Sequence, residues 1–161
     1  MSSEVQIVRA QPEHMEAAGK IAVRAWEAIH AVAKRDLGEE LHAALFSDWA
    51  ELKRSAVLKM LEGDRGYVAI LDGKVVGFIG YRLSPEKKLG HISLNAVDPD
   101  CRGMGIAPKM YEFVKEKMRE EGMLYVTVHT GLDDGHAPAR RAYEKAGFKR
   151  GRPSIDYYQE L

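Results

Sequence analysis

The chain has 161 residues, of which 45% are hydrophobic and 30% charged, and its 24 basic side chains balance 24 acidic ones. This composition is typical of a folded domain and excludes an intrinsically disordered chain. A formal net charge of zero excludes a global basic field for nucleic acid, so no nucleic-acid partner is expected.

Cysteine content and hydropathy bear on location and domain count. The chain has one cysteine, Cys101, which excludes an internal disulfide and a site of several thiolates. Residues 1–10 lack the apolar core of a signal peptide, and no apolar run approaches the length of a membrane span. We therefore expect a cytoplasmic protein with no membrane partner. The chain has no repeat or long linker, which predicts one domain over residues 1–161.

The first third of the chain predicts one strand and two helical stretches. A short alternating strand ends near Arg9, and Pro12 suits the first turn of the helix that follows. Apolar residues recur at helical spacing over residues 15–32 and again over residues 41–60, with a break near Ser47. These helical faces are expected to pack on a sheet.

The middle of the chain contains the clearest hairpin signal. Residues 67–71 and 74–83 are rich in β-formers, and Asp72-Gly73 between them is a pair that type I′ turns prefer. A further strand is predicted over residues 89–97. It should end at Asp98-Pro99, because proline cannot donate to a strand ladder.

The last third alternates helices and strands. A helix is predicted over residues 107–118, a strand over 124–128, a short helix over 139–146 and a final strand over 155–158. The element order β-α-α-β-β-β-α-β-α-β mixes hairpins with crossovers, so the predicted class is α+β or mixed α/β.

The glycine-bearing turn between the strand over 89–97 and the following helix is the most informative segment. Glycines at 103 and 105 would let an anion approach the unpaired N–H groups at the start of that helix, and Arg102 could add a charged hydrogen bond. The same glycines could equally serve only a tight turn. A Walker A loop and a dinucleotide fingerprint are disfavoured, because no Gly-Lys-Ser/Thr is present and Pro108 stands where the third glycine would be.

Two motifs resemble those of a known family, the GCN5-related N-acetyltransferases (GNAT). The glycine turn is similar to the family's Arg/Gln-x-x-Gly-x-Gly/Ala acetyl-CoA signature and reads Arg102-Gly103-Met104-Gly105-Ile106-Ala107. Residues 94–99 before it resemble the family's preceding strand, and residues 139–148 resemble its Ala-x-x-x-Tyr-x-Lys-x-Gly-Phe segment. The resemblance covers nearly the whole chain. It implies an acyl-CoA N-acyltransferase fold, with a mostly antiparallel twisted sheet, a splayed parallel strand pair and about four flanking helices.

The resemblance implies acetyl-CoA as cosubstrate and a set of residues that hold it. Pantetheine would bond to the backbone of Ala96 and Val97, and the Val97 N–H would polarise the thioester carbonyl. Residues 102–107 would cradle the pyrophosphate, and Ala139 would also contact the cofactor. His136 stands where many members have asparagine; since histidine can still donate a hydrogen bond, it is included among the cofactor contacts.

The resemblance also assigns the catalytic acid. Tyr143 matches the family's tyrosine and would protonate the departing thiolate; from its spacing alone it would be a core-facing aromatic. His91 and His129, on the two strands beside the glycine turn, are candidates for a base or water relay, or for plain structural histidines.

The acceptor side is expected between the first two helices. Trp26, Glu27 and His30 are candidates for binding the amine, although Trp26 and Trp49 also fit a packing role, and Glu27 and His30 a plain helix surface. No metal is expected, because the histidines lack metal-ligand spacing. Family members often dimerise, which makes a homodimer an expectation without a named interface.

Together these features predict an enzyme that moves an acetyl group from acetyl-CoA directly to a primary amine of a small molecule or peptide. Two alternatives remain open at this point. One is a non-catalytic sensor that binds acyl-CoA, and the other is a transferase that uses a longer acyl-CoA.

Overall fold

The sheet is the frame on which the site is built, and it is seen in a computed structural model that describes residues 4–161. Its five strands lie in chain order: β1 Gln6–Arg9, β2 Gly66–Leu71, β3 Lys74–Ser84, β4 Leu89–Val97 and β5 Tyr125–Thr127. Neighbours from β1 to β4 are antiparallel, whereas β4 and β5 are parallel. The five α-helices are α1 Met15–Leu37, α2 Glu39–Phe46, α3 Trp49–Glu62, α4 Ile106–Glu120 and α5 Ala137–Lys145.

Alternating side chains of the strands fill two apolar layers, one on each face of the sheet. On one face, Val68 and Phe78 pack with α1 and α3, whose buried residues are Ala18, Ile21, Ala22, Val57 and Leu61. On the other face, Tyr67 and Ile79 pack with α4, whose buried residues are Ile106, Met110, Tyr111, Val114 and Met118. Because these residues recur at helical spacing, they form one apolar side of each helix, and that side packs on the sheet.

Most of the predicted elements are confirmed, including the mixed class with a mostly antiparallel sheet and one parallel pair. Asp72 and Gly73 both have positive φ, 50° and 74°, as a type I′ turn requires. The second helical stretch is divided at Ser47 and Asp48 into α2 and α3, near the break that the sequence indicates at Ser47. Because α2 contacts α1 and has no buried residue, the sheet is flanked by the other four helices.

The predicted strand over residues 155–158 is wrong. Residues 148–161 form neither strand nor helix, and Ile155 and Tyr157 are 73% and 88% exposed. A run of β-favourable residues becomes a strand only when it pairs and buries a face, and this segment does neither. Within residues 4–161, no helix has both the length and the apolar character needed to cross a membrane.

The α3 helix should contribute strongly to stability through its buried face. Leu61 is 1% exposed and Leu52, on the same helix, is 60% exposed. We expect Leu61→Ala to lower the free energy of unfolding by about 3 kcal/mol, because it leaves a cavity under the sheet. Leu52→Ala, the matched control, should stay within about 0.5 kcal/mol. Urea denaturation measures both; equal effects would mean that α3 does not pack as described.

Candidate active site

A cleft opens where β4 and β5 separate. The two strands pair only from Leu89–Tyr125 to His91–Thr127, while β4 continues to Val97. The space between them measures about 700 Å³ and is bounded by α1, α3, β4, the glycine turn, α4 and α5. A cleft of this size lies within the range of pockets that hold a cofactor or a ligand of similar size.

A bulge in β4 decides which groups face this cleft. Pairing with β3 changes from Tyr81–Ile92 to Ile79–Asn95, so one residue of β3, Gly80, lies opposite two residues of β4. The extra residue turns Asn95 to the face occupied by α4, which simple alternation from Ile92 would not do. The bulge therefore places an amide side chain in the cleft wall.

The backbone of β4 also presents a free donor at the cleft. The Asp98 N–H donates to the Val76 carbonyl at 2.8 Å, so the next pair, Val97 with Gly77, is a non-hydrogen-bonded pair of the antiparallel ladder. That alternation turns the Val97 N–H away from β3, toward the open side of β4. The polar groups of Ala96 are turned toward β3 instead, so of these two residues Val97 is the better placed to bond a ligand.

The glycine turn leaves room for an anion at the start of α4. Gly103 and Gly105 have φ of 77° and 73°, and a Cβ on either glycine would have no atom within 4 Å. Both line the cleft with Arg102, Ile106 and Ala107, whereas Met104 is 56% exposed and outside the lining. The unpaired N–H groups of the first turn of α4 and the positive end of its dipole face this space. These features fit a pyrophosphate.

An arginine from α1 holds the turn in place. Arg24 donates to both carboxylate oxygens of Asp98, at 2.9 and 3.0 Å, and to Asp100 at 2.8 Å. The two acids raise the pKa of Arg24, the hydrogen bond to Asp100 contributing most. Asp98 in turn accepts from the Asp100 N–H, so the entry to the turn is fixed and its negative charge is compensated.

Arg24→Gln should therefore weaken CoA binding. Two carboxylates would lose their counter-charge beside the predicted pyrophosphate site, and we expect about tenfold lower affinity. Arg119→Gln is the matched control, because Arg119 also pairs with two acids, Glu112 and Glu116, but on the exposed face of α4. Calorimetric titration with CoA measures both; equal affinities in the two variants would mean that Arg24 does not position the turn.

Tyr143 lies in the cleft wall at the centre of a small hydrogen-bond network. Asn95 Nδ2 donates to the Tyr143 hydroxyl oxygen at 3.0 Å, and Tyr111 donates to Asn95 Oδ1 at 3.3 Å. The Tyr143 hydroxyl also donates to Asn95 Oδ1, but at 3.5 Å this bond is long, so the proton remains available to a better placed acceptor. Burial raises the pKa of Tyr143, partly offset by the hydrogen bonds to Asn95 and Tyr111, so the hydroxyl is protonated at neutral pH.

The three histidines named from the sequence take different positions. His136 and His129 line the cleft, His136 at the start of α5 with its Nδ1 2.6 Å from Asp133 Oδ2, and His129 after the end of β5. His91 lies outside the lining and is hydrogen-bonded to Ser84 at 2.9 Å. Burial, with Arg82 and Lys87, lowers the pKa of His91.

The acceptor candidates are only partly brought together. Trp26 lines the cleft, whereas Glu27 is exposed and neither it nor His30 belongs to the lining. Ala139, a predicted cofactor contact, does line it. His30 instead stacks on Trp49 with ring centroids 4.2 Å apart. Lys53 of α3 reaches the cleft, where its Nζ lies 4.4 Å from the Trp26 ring centroid.

Sequence reasoning missed Asn95, Arg24 and Lys53. Lys53 had a detectable signal, because it occupies the apolar stripe of α3 at the i+4 spacing of Trp49, Val57 and Leu61. Arg24 had none, since its partners lie 74 and 76 residues further along the chain.

The fold and cleft together define a class of protein. A splayed parallel strand pair, an outward backbone donor, a glycine turn at a helix start and a buried tyrosine are what an enzyme needs to transfer an acyl group from a pyrophosphate-bearing carrier.

Comparison with known proteins supports this class. The model of the Acetyltransferase (GNAT) family matches residues 24–148. The chain is 30% identical over 136 residues to the S-(2-succino)cysteine N-acetyltransferase of Bacillus subtilis (strain 168), covering 81% of this chain and 76% of that protein. It is 31% identical over 111 residues to the N-acetylaspartate synthetase of Xenopus tropicalis, covering 68% of this chain but only 39% of that protein.

Solved structures share the fold. The PaiA N-acetyltransferase of Thermoplasma acidophilum, in complex with coenzyme A, has a TM-score of 0.70 at 15% identity. The aligned part covers 91% of this chain and 90% of that one. The ribosomal-protein-S18-alanine N-acetyltransferase of Escherichia coli has a TM-score of 0.64 at 18% identity, and the aligned part covers 92% of this chain and 80% of that one. The chain belongs to the GNAT family and is an acetyltransferase.

Proposed function

We propose that this protein transfers the acetyl group of acetyl-CoA directly to a primary amine of a small molecule or peptide, within a ternary complex. One observation carries the proposal: the glycine turn, the open side of β4 and the Tyr143 hydroxyl border the same cleft. The names of relatives support an amine acceptor without selecting one, since they include an S-(2-succino)cysteine N-acetyltransferase and aminoglycoside N-acetyltransferases. The single cysteine supports placing the reaction in the reducing cytoplasm.

The chain supplies binding groups for the cosubstrate along β4 and α4. Residues 102–107 would hold the pyrophosphate, helped by the dipole of α4, and the Val97 N–H would bond the carrier arm or the carbonyl oxygen where negative charge develops. His136 and Ala139 line the same wall and would add contacts. Bound acetyl-CoA would supply a thioester whose carbonyl carbon accepts the amine and whose sulfur departs with the bonding electrons.

Proton movement is assigned to two side chains and water. The acceptor must react as a neutral amine, although a free alkyl ammonium has a pKa of about 10.4. His129 lines the cleft and can pass the amine proton to solvent. Tyr143 gives its proton to the sulfur, and the raised pKa of this tyrosine keeps that proton in place until it is needed. His91 lies outside the cleft lining and is therefore a poorer candidate for the base than His129.

The test is amine-dependent release of free CoA from acetyl-CoA, with the acetylated amine identified by mass spectrometry. A panel of amino acids, amino-acid amides, polyamines and peptides should contain at least one acceptor. Propionyl-CoA and succinyl-CoA in parallel establish the acyl preference. Binding of acetyl-CoA without release for any amine would contradict the proposal and favour the acyl-CoA sensor.

A further inference from the structure

The cleft has a marked charge bias. Within residues 4–161, the side chains that line it include the cations Lys53, Arg102 and Lys145 but no aspartate or glutamate. Arg102 belongs to the predicted pyrophosphate turn and Lys145 to the end of α5. Lys53 is different, because α3 packs on the face of the sheet opposite to α4. One cation therefore faces the cleft from the wall across from the glycine turn.

Lys53 is half-buried and has no acidic partner in the part of the chain that the structure describes. Its neighbour Arg54 is paired with Glu51 at 4.0 Å, whereas the ammonium of Lys53 lies over the Trp26 ring at 4.4 Å from the centroid. Burial lowers the pKa of Lys53. Removing a cation from water without an anion is unfavourable, and the ring compensates only in part. An anion entering the cleft would complete this site.

The groups around Lys53 supply no compensating negative charge. Burial, followed by the charges of His42 and Lys53, lowers the pKa of His30, so this neighbour is uncharged at neutral pH and offers Lys53 no anion. The acid near His136 is Asp133, and its carboxylate is already engaged by His136 at 2.6 Å. A polyamine or another acceptor with several ammonium groups would meet repulsion here without a balancing carboxylate.

We propose that Lys53 binds a carboxylate of the acceptor, so that the preferred acceptor is a small amine that also carries a carboxylate, such as an amino acid or an amino-acid derivative. This inference rests on the proposed function. Trp26 packs against the same apolar cluster as Leu94 and Ala96 of β4, and all three line the cleft, so the Trp26 ring would contact the carbon chain of such an acceptor. The same positive surroundings would help the acceptor's ammonium lose its proton, because a like charge disfavours the charged form.

The experiment compares kcat/KM for acceptors with and without a carboxylate. α-Amino acids, their carboxamides and the polyamine spermidine are tested with saturating acetyl-CoA. Wild-type protein should favour the acids over their amides by at least about tenfold, the effect expected for one ion pair of about 1.4 kcal/mol. Lys53→Met should remove that preference, and Lys53→Glu should shift it toward spermidine. Lys59→Glu, an exposed change on the same helix, should leave the preference unaltered.

The outcomes separate this inference from the proposed function. Acetylation of amides or spermidine as fast as the acids, or an acid preference that survives in Lys53→Met, would overturn the role of Lys53 and leave an N-acetyltransferase. No transfer to any amine by protein that binds acetyl-CoA would overturn the proposed function and this inference with it. Unchanged CoA affinity in the Lys53 variants, measured by titration, shows that their effects arise at the acceptor end.

Discussion

Gly105→Glu is expected to abolish binding of acetyl-CoA. Gly105 is the residue before the first turn of α4, with φ 73° and ψ 15°, and the space next to its Cα is open toward the cleft. A glutamate here would place its carboxylate at the positive end of the helix dipole and fill the position expected for pyrophosphate. Like-charge contacts cost several kcal/mol, which corresponds to a loss of affinity of more than about 100-fold.

The control for this substitution is Gly122→Glu. Gly122 follows the other end of α4, has φ 84°, and a Cβ at this position would likewise meet no atom within 4 Å. Both variants introduce the same side chain at a glycine with positive φ, so backbone strain is matched. Calorimetric titration should show unchanged affinity for Gly122→Glu. Wild-type affinity in Gly105→Glu would remove the glycine turn from the cofactor site.

Tyr143→Phe is expected to lower kcat by about 100-fold or more while acetyl-CoA affinity changes little, as befits loss of a general acid. The phenyl ring should keep its place against Tyr111 and Phe148, whose ring centroids lie 5.3 and 5.9 Å away. Asn95 would also keep its bonds to the Ser93 carbonyl and to Tyr111. The loss should therefore fall on the chemical step.

The control for Tyr143→Phe is Tyr67→Phe. Tyr67 is buried in the same apolar layer, on β2, but does not line the cleft. Steady-state kinetics should show near-normal kcat for this variant. A normal rate in Tyr143→Phe would mean that the leaving sulfur takes its proton from another group. Since burial raises the pKa of Tyr143 above its ordinary value of about 10, most of its hydroxyl should stay protonated below that pH, and a fall of the wild-type rate between about pH 7 and 9 should not come from Tyr143.

The parts of the site that sequence predicted are those set by local chemistry. The glycine turn was recognised because Gly103, Gly105 and the start of α4 are adjacent in the chain, and the hairpin because Asp72-Gly73 alone specifies its turn. The prediction of a final strand over residues 155–158 is wrong because it used local propensity alone. Its residues have local β propensity, but no neighbouring strand buries them.

The parts that sequence missed depend on packing between distant segments. Asn95 faces Tyr143 only because the bulge in β4 reverses which side chains point to each face of the sheet after Ile92. No residue of that strand has a sequence signal that predicts the bulge. Glu27 and His30 lie on α1 as predicted acceptor contacts, yet the residues of that helix that line the cleft are Ala25, Trp26, Ala28 and Ile29. At 3.6 residues per turn, helical spacing alone does not say which part of the exposed face meets a cleft.

The central claim is that the cleft holds acetyl-CoA, and the most direct measurement is a calorimetric titration of the purified protein, free of copurified CoA, with acetyl-CoA, CoA and ATP. We predict micromolar binding of acetyl-CoA and CoA and no comparable binding of ATP, because the cleft offers contacts for the pantetheine arm as well as for the pyrophosphate. Absence of any heat of binding from folded protein, or equal affinity for ATP, would contradict the account.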